Sequence, residues 1–308
     1  MHFKKPKFWN NKHLSIFAII LLPITQIIKV INFLKSLQTP NRFRVPVICV
    51  GNIYLGGTGK TPLSAEIFEI TKSLGKNPAF VKKFYPYIQD EIEILKTKGE
   101  VFLEKSRAKS IKLLEQKGKD IAILDDGYQD LSIFKNLSIV CFNESEGFGN
   151  KQIIPAGPLR ESLNSLSRAD IVFIKGKKNN NFENELKTFN QNIDIFYFNY
   201  EILNKEIIKD KKIIAFAGIG SNNNFFNLLT ESNFNIFMTK SFPDHHLYKE
   251  KELDDLIKLA NDNDALLLTT EKDYNRIKNK YYKNIKSVVT KINIVDKNKF
   301  VEVLQKII

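Results

Sequence analysis

The sequence predicts an α/β protein made of two α/β/α sandwich domains. Short apolar runs rich in β-branched residues, the first at 45–50, alternate with stretches of helical periodicity. The alternation restarts past residue 190, which indicates a second sheet with its own helices. A glycine-rich turn joins the first strand to the next helix and indicates a phosphate-binding domain. We therefore expect basic amphipathic helices at 1–40, the first sandwich domain at 41–192 and the second at 193–308.

The turn between this strand and helix has the composition of a phosphate-binding loop. Glycines let backbone N–H groups converge on phosphate oxygens, and the helix N-terminus favours negative charge. Lys60 would reach the β- and γ-phosphates, and the Thr61 hydroxyl would ligate Mg²⁺. Tyr54 stands where the pattern G-x-x-x-x-G-K-T has its first glycine. We predict a P-loop NTPase-like domain that binds ATP through Tyr54, Leu55, Gly56, Gly57, Thr58, Gly59, Lys60 and Thr61.

The segment before this strand combines positive charge with hydrophobicity. No Asp or Glu precedes Glu66, whereas eight Lys or Arg precede the loop: Lys4, Lys5, Lys7, Lys12, Lys29, Lys35, Arg42 and Arg44. An apolar run at 14–22 is followed, from Pro23, by a second helical stretch with an apolar stripe. Polar residues interrupt the ~20 apolar residues that a membrane span requires. We therefore favour attachment to an anionic membrane surface over packing of the stripe on the first domain.

Composition places the chain among ordinary globular proteins with an excess of positive charge. Of its 308 residues 43% are apolar and 26% charged, and the formal net charge is +13. Such a charge favours nucleic acid or phospholipid headgroups, but the sequence has no recognisable nucleic-acid-binding module. Cys49 and Cys141 fall in predicted strands, which fits a reduced cytosolic compartment. We expect a monomer with no nucleic-acid partner.

An apolar strand predicted at 120–124 runs into Asp125 and Asp126, downstream of the glycine-rich turn. This is the position of a Walker B carboxylate, which holds Mg²⁺ directly or through water. Taken alone, an Asp-Asp-Gly sequence is as often a turn with solvated carboxylates. The phosphate-binding turn upstream favours the metal interpretation, so we expect both residues to join Thr61 at a Mg²⁺ site.

Two further features are candidates for the site. Two prolines and a glycine stiffen the loop that presents Arg160, whose planar guanidinium could grip a phosphate. An exposed arginine in an ordinary turn explains the same pattern equally well. His245 and His246 are adjacent, and histidine is a residue type suited to proton transfer or to the orientation of a carboxylate, although such histidines are more often structural. Residues 269–273 are predicted to be a helix N-cap with an acidic first turn.

Taken together, these motifs resemble the tetraacyldisaccharide 4′-kinase family, the lipid A 4′-kinases of Gram-negative bacteria. The resemblance runs from the N-terminal helices to about Arg276, and the family also has a non-glycine at the position of Tyr54. It rests on residues 50–52, 56–62, 125–129, 155–161, 169–170, 215–220, 242–245 and 269–273. It implies transfer of the ATP γ-phosphate to the 4′-hydroxyl of a lipid A disaccharide 1-phosphate at the cytoplasmic face of the inner membrane. It also implies that the active site lies in a cleft between two α/β/α domains.

The resemblance further implies cofactors and roles for single residues. The cofactors are ATP and Mg²⁺. The family's Asp-Glu after its second strand matches Asp90 and Glu91, which makes Asp90 and His245 the catalytic pair. The implied roles are Asp90, His245 and Lys60 in catalysis, Thr61, Asp125, Asp126 and Glu91 at the metal, and Arg160 and Glu161 at the substrate or phosphate.

One region departs from the family pattern. The family has Ser-Arg-Gly-Tyr-Gly after its second strand, whereas residues 80–92 here are shortened and lack the arginine and both glycines. The residues leave open whether Lys82 or Lys83 supplies the missing positive charge. This erosion motivates one alternative, a catalytically degenerate nucleotide-binding protein. A second alternative, a membrane-surface partitioning ATPase, is disfavoured because Leu55 stands where those proteins carry a signature lysine.

Overall fold

The computed structural model describes residues 6–11, 13–85 and 89–308, with the backbone alone at residues 89 and 90. The strands are β1 Val47–Gly51, β2 Pro78–Lys83, β3 Val101–Glu104, β4 Ile121–Asp125, β5 Leu137–Asn143, β6 Ile171–Lys175, β7 Asp194–Ile202, β8 Lys212–Ala217, β9 Asn235–Ser241, β10 Ala265–Thr270, β11 Ile285–Val288 and β12 Thr290–Ile294. The α-helices are α1 Ile16–Ser36, α2 Lys60–Ser73, α3 Gln89–Lys96, α4 Arg107–Gln116, α5 Asn180–Lys187, α6 Lys205–Ile208, α7 Asn222–Glu231, α8 Glu250–Asp262, α9 Glu271–Tyr274 and α10 Lys297–Gln305. Short 3₁₀ helices occur at Lys7–Asn10, Leu163–Arg168 and Asn279–Tyr281.

The larger sheet places the ends of β1 and β4 side by side. Its strand order is β12-β7-β6-β5-β1-β4-β2-β3. β1 pairs in parallel with β4 and β5, and all three strands are buried along their whole length because both faces of such a sheet are covered. Val50 is in register with Asp125. The loop that leaves β1 therefore lies next to the carboxylates that follow β4.

The smaller sheet has its own two-sided core. Its strand order is β11-β10-β8-β9, with parallel pairing throughout. Successive side chains of a strand point to opposite faces. Ile213 and Ala215 of β8 accordingly share a buried cluster with α7, whereas Ile214 and Phe216 share one with α8. The predicted α/β class with a second α/β/α sandwich is confirmed.

The division of the chain differs from the expected boundaries. Residues 200–293 form one compact unit, and the described residues before 200 form the other together with 294–308. The second unit begins at residue 200 and not at the expected residue 193, because β7 lies in the larger sheet between β6 and β12. The C-terminal helix α10 likewise belongs to the larger unit, where Phe300 packs edge-on against Phe173 of β6.

Helix α1 is continuous over 21 residues although Pro23 lies inside it. The second helical stretch expected to start at this proline is therefore part of the same helix. Thr25 fastens the inner side of the helix and is fully buried. Its hydroxyl donates to the carbonyl oxygen of Ile153 at 3.2 Å and accepts from the N–H of Ala156 at 3.3 Å.

The rest of α1 exposes apolar side chains. Exposed large apolar residues of this helix are Ile16, Phe17, Ile19, Ile20, Ile24, Ile27, Val30, Ile31, Phe33 and Leu34. Within the described part of the chain, α1 is the one helix that is long and apolar enough to cross a membrane by length and composition. A contiguous apolar surface of this kind marks a contact with a membrane or another protein.

Candidate active site

The loop between β1 and α2 is held in shape by Asn52. Its Nδ2 donates to the carbonyl oxygen of Tyr54 at 2.5 Å and to Oγ1 of Thr58 at 3.1 Å. Nε2 of Gln129 donates to the carbonyl oxygen of Asn52 at 2.8 Å, which ties this loop to the turn after β4. Gly59 precedes α2 with a φ of 85°, a left-handed conformation that favours glycine. The predicted strand, turn and helix of a phosphate-binding loop are present.

The residues expected to contact ATP contribute in different ways. The side chain of Tyr54 is buried, and its hydroxyl lies 3.3 Å from Oδ1 of Asn10. The ring of Tyr54 is therefore turned into the protein, and only its main chain lies along the loop expected to bind ATP. A Cβ atom built on Gly57 would have no heavy atom within 4 Å. A larger side chain at this position would therefore not clash with the rest of the protein. The space beside Gly57 fits the close approach of a phosphate group.

Thr61 and Asp125 meet at the start of α2. Oγ1 of Thr61 donates to Oδ2 of Asp125 at 3.1 Å, and the Ser64 hydroxyl one turn further along donates to Oδ1 at 3.1 Å. Asp125 is fully buried. The two residues expected to join at a Mg²⁺ site, Thr61 and the last residue of β4, Asp125, are therefore in direct contact.

Asp126 lies in a cluster of positive charge. It has a φ of 61°, and its Oδ1 is 2.9 Å from Nη1 of Arg160 and 3.6 Å from Nζ of Lys60. Nη2 of Arg107 also donates to its carbonyl oxygen at 2.6 Å. Burial would raise the pKa of Asp126, but Lys60 and Arg160 outweigh burial and hold the pKa well below its usual range. Asp126 is therefore ionised at neutral pH.

Arg160 and Glu161 take different places although they are adjacent. The N–H of Arg160 donates to the carbonyl oxygen of Ile53 at 2.7 Å, so this loop lies directly against the phosphate-binding loop. Glu161 is buried and accepts a hydrogen bond from Arg168. Arg160 thus joins the phosphate site through Asp126, whereas Glu161 is paired away from it.

Lys82 is a site residue that the sequence left undecided. It is buried, and its ammonium group donates to Asp125 and, at 2.7 Å, to Oε2 of Glu91. Burial would lower the pKa of Lys82, but the two carboxylates raise it above its ordinary value, so the side chain stays charged. Lys83 instead lies 5.5 Å from the ring centre of Tyr85. Of the two lysines, Lys82 is the one that brings positive charge to Asp125.

The predicted catalytic pair is described only in part. The side chain of Asp90 lies outside the described residues, and its backbone belongs to the first turn of α3. His245 lies in the smaller unit with a φ of 56°, and its N–H donates to the carbonyl oxygen of Gly218 at 3.0 Å. Nη2 of Arg276 is 3.3 Å from Nδ1 of His245. Because a guanidinium group has only donors, Nδ1 accepts and the proton of the neutral ring resides on Nε2.

His246 has structural contacts. Its Nε2 lies 2.9 Å from Oε2 of Glu252, and its ring stacks on Phe242 with centres 4.8 Å apart. Thr270 caps the short helix α9 by accepting from the N–H of Asp273 at 3.1 Å, which confirms the predicted N-cap. The sequence left open whether His246 serves proton transfer or structure, and its contacts favour the structural alternative. Thr270 was expected only as a cap.

The oxygen donors at the ends of β1 and β4 fit Mg²⁺. This ion is usually held by one or two carboxylates together with substrate phosphates. Thr61, Asp125 and Asp126 lie together at this edge of the sheet and supply hard oxygen ligands. Among the described residues no cluster of three or more His, Cys, Asp or Glu is arranged to hold a metal ion. The hydroxyl and carboxylate oxygens of Thr61, Asp125 and Asp126 fit an ion whose other ligands are nucleotide phosphates.

The fold and this constellation define a P-loop nucleotide-binding protein of the phosphotransferase type. The sequence profile of the family described as tetraacyldisaccharide-1-P 4′-kinase matches residues 12–91 and 87–308. The chain belongs to this family.

Relatives and a solved structure agree with this assignment. The tetraacyldisaccharide 4′-kinase of Pelagibacter ubique (strain HTCC1062) is 37% identical over 310 residues, covering 100% of this chain and 99% of the relative. The enzyme of the same name from Rickettsia akari (strain Hartford) is 34% identical over 87% of each chain. The crystal structure of LpxK from Aquifex aeolicus in complex with ATP has a TM-score of 0.72 at 24% identity, covering 95% of this chain and 99% of that one. This likeness shows that the fold extends over nearly the whole chain.

Proposed function

We propose that this chain transfers the γ-phosphoryl group of ATP to the 4′-hydroxyl of a tetraacyldisaccharide 1-phosphate, a step of lipid A biosynthesis. The observation that carries the proposal is the meeting of Thr61 with Asp125 behind a glycine-rich loop, with Lys60 beside Asp126. Family membership identifies the acceptor.

Phosphoryl transfer depends on positioning and charge neutralisation more than on covalent chemistry. Lys60 lies at the first position of α2, from which its ammonium group would contact the β- and γ-phosphates. Arg160 lies against the same loop and would contact the phosphoryl group being transferred. Mg²⁺, when bound, neutralises charge on the phosphates, and Thr61 with Asp125 and Asp126 would hold it there directly or through water.

The acceptor hydroxyl needs a base, because a sugar hydroxyl does not ionise near neutral pH. We propose that Asp90 accepts this proton and that His245 orients Asp90. Two features support the assignment. Asp90 directly precedes Glu91, whose carboxylate contacts Lys82 beside the P-loop. The Arg276 contact places the proton of the neutral His245 ring on Nε2, which lies 3.8 Å from Oδ1 of Asp244 and is the kind of donor that binds a carboxylate.

The lipid A pathway of this family operates at the inner membrane, and we propose that α1 attaches the chain to its cytoplasmic face. The helix exposes a continuous apolar surface and carries Lys29 in its second half and Lys35 in its last turn. Each lysine near an anionic surface contributes about 1 kcal/mol of attraction. A helix of 21 residues is about 30 Å long, which matches the hydrocarbon thickness of a bilayer.

An assay with radiolabelled γ-phosphate tests the proposed reaction. Purified protein, ATP and Mg²⁺ are incubated with tetraacyldisaccharide 1-phosphate in detergent, and the lipid product is separated from phosphate and ATP. We expect label in the lipid with wild-type protein and none with an acceptor whose 4′-hydroxyl is already phosphorylated. Release of inorganic phosphate without labelled lipid would instead favour a membrane-surface ATPase, and absence of both products would favour a catalytically degenerate nucleotide-binding protein.

A further inference from the structure

Lys82 is a charged side chain inside the larger sheet, where it requires an explanation. It lies in β2, which pairs with β4 so that Val81 is in register with Leu124. Its side chain is 3% exposed. Taking an ammonium ion out of water costs several kcal/mol unless the ion is paired and hydrogen-bonded. A lysine in this place therefore reflects a requirement for positive charge beside Asp125.

The ammonium group of Lys82 bridges two carboxylates. It donates to Oδ2 of Asp125 and to Oε2 of Glu91. Asp125 also accepts from Thr61 and Ser64, so its two oxygens together receive three donors. Lys82 is the only charged group among these three donors.

Two carboxylates that converge on one point form a place where a divalent cation would otherwise bind. Here a positive charge of the chain itself occupies that point. A Mg²⁺ ion ligated by both Asp125 and Glu91 would have to displace the ammonium group or lie a few ångströms from it, where like charges repel. The two arrangements therefore exclude each other.

We propose that Lys82 is a built-in cation that takes the place of a divalent ion between Asp125 and Glu91. The chain then binds one divalent ion, which enters with the nucleotide phosphates, and none on this pair of carboxylates. Lys82 is a positioning residue in this scheme, because it acts through Asp125 on Thr61. The inference rests on the proposed nucleotide site but is independent of the lipid acceptor and of transfer itself.

Manganese binding followed by electron paramagnetic resonance tests this inference without any measurement of turnover. The free Mn²⁺ signal is titrated with full-length protein, with and without a non-hydrolysable ATP analogue. We expect one Mn²⁺ per chain with the analogue and no stoichiometric binding without it. A wild-type chain that binds two Mn²⁺ ions with the analogue, or one ion without it, would overturn the proposal.

Replacement of the lysine gives the complementary test. In Lys82→Ser the two carboxylates lose their cation, and we expect them to bind Mn²⁺ without nucleotide at least about tenfold more tightly than wild type does. The double variant Lys82→Ser/Glu91→Gln should lose this gain. Lys83→Ser is the matched control, because it removes the neighbouring lysine of the same strand and should bind Mn²⁺ as wild type does.

The variant Glu91→Gln tests the same proposal if Lys82→Ser does not fold. This variant retains the Lys82–Asp125 pair and removes only the half-exposed partner. We expect its Mn²⁺ stoichiometry and affinity, with the ATP analogue present, to equal those of wild type. A loss of Mn²⁺ affinity in Glu91→Gln, or a Lys82→Ser protein that folds but gains no Mn²⁺ binding, would show that Lys82 does not stand in for a metal ion.

Discussion

Nη1 of Arg160 lies 2.9 Å from Oδ1 and 3.1 Å from Oδ2 of Asp126. The sequence suggested separate partners for these residues, a phosphate for Arg160 and a metal ion for Asp126. In the structure they neutralise each other, and Lys60 lies 3.6 Å from the same carboxylate. An incoming polyphosphate would therefore meet two cations that Asp126 already holds in place, so that little ordering of long side chains remains to be done on binding.

Lys60→Ala should abolish measurable transfer while the protein stays folded. The ammonium group stabilises charge on the transferring phosphoryl group, and removing one such preorganised contact costs about 3 kcal/mol or more, roughly a hundredfold or more in rate. The measurement is labelled-lipid formation together with thermal unfolding. Lys72→Ala, an exposed lysine of the same helix, is the control and should retain full activity. A near-normal kcat of Lys60→Ala would contradict the assignment of residues 54–61 as a P-loop.

The phosphate-binding loop was predictable because its signals are local. A buried strand, a glycine turn and a helical pattern follow each other within residues 45–73, and the carboxylates directly end another apolar strand. The N-cap at Thr270 was predictable for the same reason. Each of these features depends on backbone requirements of a few neighbouring residues.

The remaining features depend on long-range packing that one sequence does not display. Lys82 lies in β2, which looks like any other buried strand, and only the pairing of β2 with β4 brings it to Asp125. The assignment of β7 to the larger sheet is equally hidden, because the residues of this strand do not show which sheet it joins. Asn52 shapes the P-loop through contacts with backbone carbonyl groups, which carry no residue signature.

The stability of the larger unit should depend on the ionisation of Asp130. Burial would raise the pKa of Asp130, but hydrogen bonds from Ser132 and the charge of Arg107 outweigh burial and lower it. A depressed pKa means that the folded state favours the carboxylate. The stabilisation is therefore complete well above the unfolded-state pKa of about 4 and is lost as the pH falls through the lower, folded-state pKa.

Urea unfolding between about pH 2.5 and pH 6 measures this effect. We expect Asp130→Asn to be less stable than wild type at pH 6 and the difference to shrink as the pH falls below about 4. Glu69→Gln, which changes an exposed carboxylate of α2, is the control and should follow the wild-type pH dependence. A constant difference between Asp130→Asn and wild type at every pH would rule out a role for ionisation.

The two sides of α1 should separate membrane attachment from folding. Ile20 and Ile27 are 65% and 61% exposed, whereas Thr25 is fully buried and hydrogen-bonded. Burying one isoleucine side chain is worth about 1.5–3 kcal/mol, so Ile20→Gln and Ile27→Gln should each weaken binding to anionic vesicles by roughly tenfold or more. Co-sedimentation with vesicles measures this. Thr25→Ala should instead lower the thermal unfolding temperature and leave vesicle binding unchanged, and the reverse pattern would place the membrane contact elsewhere.

The proposed proton transfer depends on Asp90 and His245 acting as one unit. Asp90→Ala and His245→Ala should each lower kcat with little change in ATP affinity, because neither residue belongs to the phosphate-binding loop. The kcat of the double variant should be only slightly below that of the slower single variant. Both residues serve the same proton transfer, so the second substitution removes little that the first has not already removed. His246→Ala is the matched control. Its contacts with Glu252 and Phe242 predict a loss of stability and a nearly normal kcat.

Arg276 provides a readout of how His245 is oriented. Its Nη2 donates to Nδ1 of His245, so that the proton of the neutral ring is held on Nε2. In nitrogen NMR spectra of labelled protein at high pH, His245 should show the Nε2–H tautomer in wild type and a mixture of tautomers in Arg276→Met. We expect kcat to fall in the same variant, since a ring protonated on Nδ1 has no Nε2–H to donate to Asp90. Two results would contradict the assignment of the Asp90–His245 pair. One is a fold-loss of kcat in the double variant Asp90→Ala/His245→Ala that equals the product of the two single fold-losses. The other is a larger loss of kcat in His246→Ala than in His245→Ala.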